Sequence, residues 1–186
     1  MKSKKTIIII VLIIIIIGYI FGYRLTSYHA AQRYLSSFEK DKTSEVLIDK
    51  DYAWGKIYLF DTGESKQVVI VKKYGPIWVS KEGFYSYISD EEVKTLGWAS
   101  NKECTFLAIE VLDSKVSYIE AGTYENQLKQ TVKSDELMVF SWDKALRWND
   151  IEGKAYSKNG ELLYEYRYPI SNVIHMNELR WYPLEK

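Results

Sequence analysis

Residues 6–23, TIIIIVLIIIIIGYIFGY, form a stretch of eighteen residues without a single charged side chain. As an α-helix this stretch would span about 27 Å, close to the roughly 30 Å of a bilayer's hydrocarbon core. Runs of β-branched isoleucine form helices poorly in water, but in lipid a helix is what satisfies the backbone hydrogen bonds. The stretch therefore predicts a transmembrane anchor over residues 6–23, with the lipid bilayer as its partner.

The charges that flank this stretch predict its orientation. Lys2, Lys4 and Lys5 precede it, and Arg24 follows it directly. Because positive residues are enriched on the cytoplasmic side, we expect residues 1–5 to form a cytoplasmic stub. The predicted localisation is therefore the cell membrane, as a single-pass protein whose C-terminal domain is extracytoplasmic.

A cleaved signal peptide is the alternative interpretation of the same stretch. Signal peptides have a shorter apolar core and end at small residues that flank the cleavage site. Cleavage after Ala30 or Ala31 would place Tyr28 or His29 where a small residue is needed. The length of the core and this missing site both favour an uncleaved anchor.

Residues 24–41 predict a membrane-proximal helix that continues the anchor. Their apolar residues recur at helical spacing, which gives one apolar stripe: Tyr28, Ala31, Leu35 and Phe38. Such a stripe would suit a dimer seam, but it is short for a coiled coil. Packing of this helix against the protein's own sheet is therefore the favoured interpretation.

The amino-acid composition indicates which cellular compartment and which classes of partner suit this chain. The chain has 25 basic and 25 acidic residues, but its first 23 residues hold three lysines and no acid, so the remainder is mildly acidic. An acidic domain lacks the basic surface that nucleic acid requires, so no nucleic-acid partner is expected. Cys104 is the single cysteine, and there is no N-x-S/T sequon. Both properties suit a bacterial cell envelope better than a eukaryotic secreted domain.

Residues 45–186 predict an extracytoplasmic α+β domain, mainly antiparallel β with one or two short helices. Two lobes, 45–100 and 104–186, are the finer alternative. Residues 56–61 and 67–73 are two apolar runs around a turn, which predicts a hairpin. Asn159-Gly160 is the strongest short hairpin motif in the chain, and it predicts a second one.

Two helices and one strand pairing are predicted inside this domain. Ser89 and Glu92 form a capping box, which predicts a helix ending at Gly97. Ser141 is a candidate cap for another short helix. Residues 105–112 form an apolar strand, which we expect to pair with residues 116–121 across a short turn.

The sequence offers little support for catalysis or for a bound cofactor. His29 and His175 are the two histidines, and no metal-binding or phosphate-binding motif surrounds them. Cys104 stands beside no residue that would lower the pKa of its thiol, which favours a buried, inert cysteine. No catalytic residue, metal ligand or cofactor is therefore predicted, and a protein without enzymatic activity is favoured.

Aromatic residues supply the remaining functional hypothesis. Tyr164, Tyr166 and Tyr168 share one strand face by the period-two rule, and Trp181 follows near the C-terminus. These four are the candidate partner-binding residues, with core packing as the alternative. The predicted function is an envelope interaction module that binds a protein or a glycan without catalysis. The alternative is an envelope hydrolase that acts on cell-wall material through an Asp/Glu pair.

Overall fold

The computed structural model describes residues 2–38, 44–87, 90–134, 136–167 and 180–184. This part of the chain holds helices α1 (Lys2–Ile20) and α2 (Ser27–Leu35) and a 3-10 helix, Trp148–Asp150. Its strands are β1 (Glu45–Tyr52), β2 (Gly55–Asp61), β3 (Ser65–Tyr74), β4 (Ile77–Tyr87), β5 (Val93–Ser100), β6 (Thr105–Val111), β7 (Val116–Thr123), β8 (Asn126–Thr131), β9 (Met138–Trp142), β10 (Glu152–Ser157), β11 (Leu162–Arg167) and β12 (Arg180–Pro183). The chain divides into two compact units, residues 1–84 and residues 85–186.

Unit 1 is built on a four-stranded sheet in chain order, β1-β2-β3-β4. β2 and β3 are the apolar runs of the predicted hairpin, and they pair antiparallel from Gly55 opposite Lys72 to Asp61 opposite Lys66. The prediction of a hairpin here is confirmed. Strands that are apolar on both faces are buried on both faces, and the side chains at the centre of β2 and β3 are accordingly buried.

Helix α2 packs on one face of this sheet. Ala30, Ala31 and Leu35 are buried in one cluster with sheet residues such as Phe60 and Val71. The expectation that a helix within residues 24–41 packs on the protein's own sheet is confirmed. Tyr28 and Phe38, the other two members of the predicted stripe, are exposed.

The predicted continuous helix from the anchor through residues 24–41 is wrong, because the chain breaks between α1 and α2. Gly22 has a φ of +90°, a left-handed conformation that ends a helix and favours glycine. Thr26 then starts α2 as its N-cap: the hydroxyl oxygen accepts a hydrogen bond from the His29 amide at 3.2 Å. The segment between the two helices joins the sheet at Arg24.

None of the helices in the described part of the chain combines the length and the apolar character that a membrane crossing demands. The anchor over residues 6–23 stays a prediction.

Unit 2 contains two sheets, β5-β6-β9 and β12-β11-β10-β7-β8. Buried residues from both sheets form one shared core, with Ile109 and Phe140 from the first and Ile119, Ala155 and Trp181 from the second. All the strand pairs recorded in this unit are antiparallel. The prediction of a mainly antiparallel α+β protein is therefore confirmed at this level.

Three local predictions in unit 2 are wrong. The capping box at 89–92 starts no helix: Val93–Ser100 is strand β5, which pairs with buried β6 and gains more from pairing than from capping. Ser141 and Trp142 lie in β9, which also pairs with β6. β6 and β7 do not pair with each other, because β6 lies between β5 and β9 while β7 lies between β10 and β8.

The second hairpin is confirmed. β10 and β11 pair antiparallel around Asn159-Gly160, and the Gly160 amide donates to the Ser157 carbonyl at 3.0 Å. Gly160 has a φ of +80°, as the tight turn requires. The segment 101–103, which separates the two predicted lobes, joins the paired strands β5 and β6.

Candidate functional site

Tyr164, the first predicted partner-binding residue, lies in the shared core of unit 2. Only 8% of its surface is exposed. Its hydroxyl lies 2.8 Å from Glu92 Oε2 and 2.9 Å from Asp113 Oδ2. Burial and then these two carboxylates raise the pKa of the Tyr164 hydroxyl, since all of them oppose a phenolate. Tyr164 is thus a buried hydrogen-bonding residue and not part of an exposed contact face.

Trp181 and Tyr166 pack together on the same side of the sheet. Trp181 is 3% exposed, and its indole nitrogen donates to Thr95 Oγ1 at 3.3 Å. The Tyr166 ring is tilted against the Trp181 ring with centroids 5.5 Å apart. Burial raises the pKa of Tyr166 to about 12, with a further contribution from the charge of Glu91. The period-two rule correctly joined Tyr164 and Tyr166, but their shared face is the core face.

The other residues singled out in the sequence are separate from this group. Tyr168 and His175 lie outside the described residues. His29 is exposed on α2, and Cys104 is fully buried. Within the described ranges, no group of three or more His, Cys, Asp or Glu side chains is arranged to hold a metal ion.

The face of the five-stranded sheet that points away from the core carries a different set of side chains. Ile119 and Ala121 of β7 point into the core, so Tyr118 and Glu120 point outward. We call this surface the outer face. The strand register aligns one residue from each of the five strands across it: Lys129, Glu120, Lys154, Glu165 and Tyr182. This charge row alternates in sign over its first four positions.

Tyr118 and Tyr156 form the aromatic part of the outer face. They are register partners on β7 and β10, and their rings stack with centroids 4.9 Å apart and planes within 16°. Both residues are half-buried, so each ring presents part of its surface to solvent. Burial and then the charge of Glu120 raise the pKa of Tyr156, which keeps its hydroxyl protonated as a hydrogen-bond donor.

Lys129 connects the tyrosine pair to the charge row. Its ammonium lies 3.5 Å from the centroid of the Tyr118 ring, and 3.3 Å from Glu120 Oε1. A cation above a tyrosine face is attracted by the ring quadrupole. The outer face therefore offers flat aromatic surface beside donors and acceptors of both charges, a combination that suits protein or glycan contact.

Sequence reasoning missed Tyr118 and Tyr156, although half of the necessary pattern was present. Alternation along Val116–Ala121 separates Ile119 and Ala121 from Tyr118, so the outward direction of Tyr118 was predictable. Its partner comes from β10, and the register between β7 and β10 has no local determinant in the sequence.

Two carboxylates meet at Tyr164, and they are the pair that the hydrolase alternative requires. Glu92 Oε2 and Asp113 Oδ2 both lie within 2.9 Å of the Tyr164 hydroxyl oxygen, so they are at most twice that distance apart. Because one hydroxyl carries one hydrogen, the two carboxylates share a single donor. The phenol occupies the space between them, which is where a substrate would have to lie.

In unit 1, the segment that follows α1 joins the sheet directly. Arg24 and Trp78 exchange two backbone hydrogen bonds, each of 2.8 Å, which adds Arg24 to the edge of β4. The Arg24 guanidinium donates to the carbonyls of Tyr19 and Tyr23 at 2.7 and 2.8 Å. A cation on the last carbonyls of a helix stabilises its negative end. The helix and the sheet are therefore connected without a flexible linker.

Neither a protein-family model, nor a curated protein, nor a solved structure matches this chain.

Proposed function

We propose that this chain is a membrane-anchored, extracytoplasmic interaction module of a bacterial envelope, which binds a protein or glycan partner without catalysis. Residues 6–23 are the anchor, with the N-terminus in the cytoplasm. The outer face of unit 2 is the proposed contact surface, in place of the buried Tyr164 and Trp181. The stacked pair Tyr118 and Tyr156 is the observation that carries the binding part of this proposal.

The surroundings of α1 support the anchor. The side chains from Ile7 to Ile17 are between 47% and 62% exposed, so none of the described parts of the chain covers them. A helix that is apolar all round is normally buried in a protein core or in a membrane. Since the described residues do not bury this helix, lipid is the environment that fits its surface.

The uncharged part of α1 is short, and known adjustments accommodate it. Thr6–Ile20 spans about 22 Å as a helix, less than the average hydrocarbon thickness. Lys4 and Lys5 have long stems that can extend their charges to the headgroups, and a bilayer thins around a short span. Residues 21–23 add apolar and aromatic surface at the other end.

The join between Arg24 and Trp78 supports a position close to the bilayer. Because the sheet of unit 1 is hydrogen-bonded to the first residue after the anchor, that sheet is held at the membrane surface. Confinement to a thin layer raises the effective concentration of the module toward its envelope partners.

Replacing Tyr118 and Tyr156 with serine in the full-length chain tests the contact surface. Both rings lie on the outer face, so the doubly substituted protein should fold, while its binding to isolated cell-wall glycan or envelope protein weakens about tenfold or more. Tyr124→Ser is the matched control, because Tyr124 is 95% exposed at the β7–β8 turn. Unchanged binding by a folded double variant would exclude this surface.

Protease accessibility tests the topology. Protease added to intact cells should remove the C-terminal domain, while a tag fused before Lys2 stays protected. Protection of the C-terminal domain would overturn the proposed orientation.

An envelope hydrolase is the second candidate, because Glu92 and Asp113 converge on Tyr164. Retaining glycosidases place two carboxyl groups about 5 Å apart. This candidate would be favoured if the wild-type protein cleaved cell-wall fragments and both Glu92→Gln and Asp113→Asn lost that activity. The position of the Tyr164 ring between the two groups favours the binding module.

A further inference from the structure

A small cavity lies in unit 1 beside the end of the predicted anchor. It has a volume of about 130 Å³ and is lined by Tyr23, Lys72, Tyr74, Lys81 and Glu82 above two buried apolar side chains, Ile70 and Val79. A cavity of about 10–15 Å³ already holds one water molecule, so this one has room for a group of several heavy atoms. A phosphate group has that size.

Strand alternation explains why these side chains meet. Val69 and Val71 of β3 face α2, so Ile70, Lys72 and Tyr74 point to the opposite face of the sheet. The neighbouring strand β4 contributes Val79 and Lys81 to the cavity. Tyr23 completes the lining because the next residue, Arg24, is hydrogen-bonded to β4 at Trp78.

The charge of the lining fits an anion. Two lysines bring positive charges to it, and two tyrosines bring hydroxyl groups that can donate hydrogen bonds. Glu82 also belongs to the lining, but strand alternation directs its side chain away from that of Lys81, and burial and then the charge of Glu82 raise the pKa of Tyr34 in α2. A phosphodiester carries one negative charge, which the two lysines would attract.

The height of the cavity above the bilayer follows from Tyr23. Tyr23 is the last residue of the uncharged stretch, so with residues 6–23 in lipid its ring lies at the headgroup level. Lys72 and Lys81 line the same cavity and therefore lie at that level as well. Basic residues at this position attract anionic lipids.

We infer that the cavity lined by Tyr23, Lys72 and Lys81 binds the phosphodiester headgroup of an anionic membrane lipid. The inference rests on the proposed membrane anchoring. Its consequence is that unit 1 is fixed to the bilayer at two points, through the helix and through a lipid headgroup beside it.

The test uses the full-length chain in bilayer nanodiscs that contain equal amounts of phosphatidylglycerol and phosphatidylcholine. Native mass spectrometry then measures which lipid stays bound to the released protein. Wild-type protein should retain phosphatidylglycerol over phosphatidylcholine by about fivefold or more, and Lys72→Gln/Lys81→Gln should lose this preference.

Lys115→Gln/Lys133→Gln is the matched control. It makes the same change of net charge at two exposed lysines of unit 2, and it should retain the lipid preference. Far-ultraviolet circular dichroism must show that both double variants keep the fold. Loss of the preference in the control as well would overturn the inference, since net charge alone would then explain it.

Two further outcomes separate the lipid from other sources and from the anchor. Lysine-dependent binding of inorganic phosphate in detergent, without any lipid preference, would overturn the lipid headgroup as the ligand. Wild-type protein that floats with vesicles but shows no lipid preference would overturn the inference alone. Wild-type protein that fails to float with any vesicle would overturn the anchor and the inference together.

Discussion

Tyr118 and Tyr156 stack across β7 and β10 with their ring centroids 4.9 Å apart, and the same two strands bury Ile119 and Ala155 completely on their other side. One strand pair therefore contributes both to the core of unit 2 and to an aromatic surface. Residues on the two faces respond differently to substitution, because only the core face is packed on all sides.

The Tyr118–Tyr156 stack should contribute little to stability. Aromatic cross-strand pairs are coupled by about 0.5–1 kcal/mol, and these rings are half-buried. A double-mutant cycle with Tyr118→Ala and Tyr156→Ala, followed by urea unfolding, should give a coupling free energy in that range. A coupling of about 3 kcal/mol or more would mean that the pair is core and not contact surface.

Tyr164→Phe should destabilise unit 2 by about 1–2 kcal/mol. It removes the hydroxyl that serves both Glu92 and Asp113, and hydrogen bonds to charged groups are the stronger class. The expected cost lies toward the lower end because Glu92 is exposed and can bind water instead. Tyr124→Phe, at a 95% exposed site, is the control that should leave the urea midpoint unchanged.

Alkaline pH should destabilise the protein through its tyrosines. The pKa values of Tyr156, Tyr164 and Tyr166 are raised above 10.0 in the folded state, so folding holds protons that the unfolded chain releases. The contribution of these protons to the free energy of unfolding is fully present below about pH 10. It is lost as the pH rises from there towards the pKa values of the folded state. Urea midpoints should thus fall as the pH rises from about 10 to about 12, and less steeply in Tyr164→Phe. An identical slope in that variant would contradict the assignment.

Gly153→Ala should destabilise unit 2 by about 1–3 kcal/mol through overpacking. A Cβ at position 153 would lie 2.7 Å from the Trp181 ring, closer than real Cβ contacts, and 3.0 Å from Tyr166 Cβ, which is a tight contact. The Trp181→Phe background provides the control, since a smaller ring relieves the closest contact. The cost of Gly153→Ala, measured by thermal unfolding, should be smaller in that background.

Local chemistry made the hairpins predictable. Asn159-Gly160 fixes its turn through the positive φ of Gly160, so the pairing of β10 with β11 needs no information from elsewhere. The same holds for the apolar runs of β2 and β3 on either side of Gly63. In both cases the residues that determine the structure are neighbours in the sequence.

Long-range pairing was not predictable in the same way. β6 and β7 are neighbours in the chain, but β6 pairs with β5 and β9 while β7 pairs with β10 and β8. The turn at Asp113–Lys115 is compatible with a hairpin and with a change of sheet. The capping box at 89–92 is similarly compatible with a helix, and only the pairing of Val93–Ser100 with β6 decides against it.

The same contrast between local and long-range information applies to single residues of the candidate site. Period two correctly placed Tyr164 and Tyr166 on one face, but the sequence does not state which face meets the core. A strand with tyrosine on one side and leucine or glutamate on the other can be turned either way. In the structure the tyrosines of β11 face the core, and Tyr118 and Tyr156 form a stacked pair on the opposite, accessible face.

The bridge between Arg24 and Trp78 uses only main-chain atoms. Every amino acid except proline supplies both atoms, so other substitutions at either position preserve the two bonds, while proline removes one of them. Both residues can therefore be substituted during evolution while the sheet stays bonded next to the helix. Distant descendants of this chain would keep the join while losing any trace of it in their sequences.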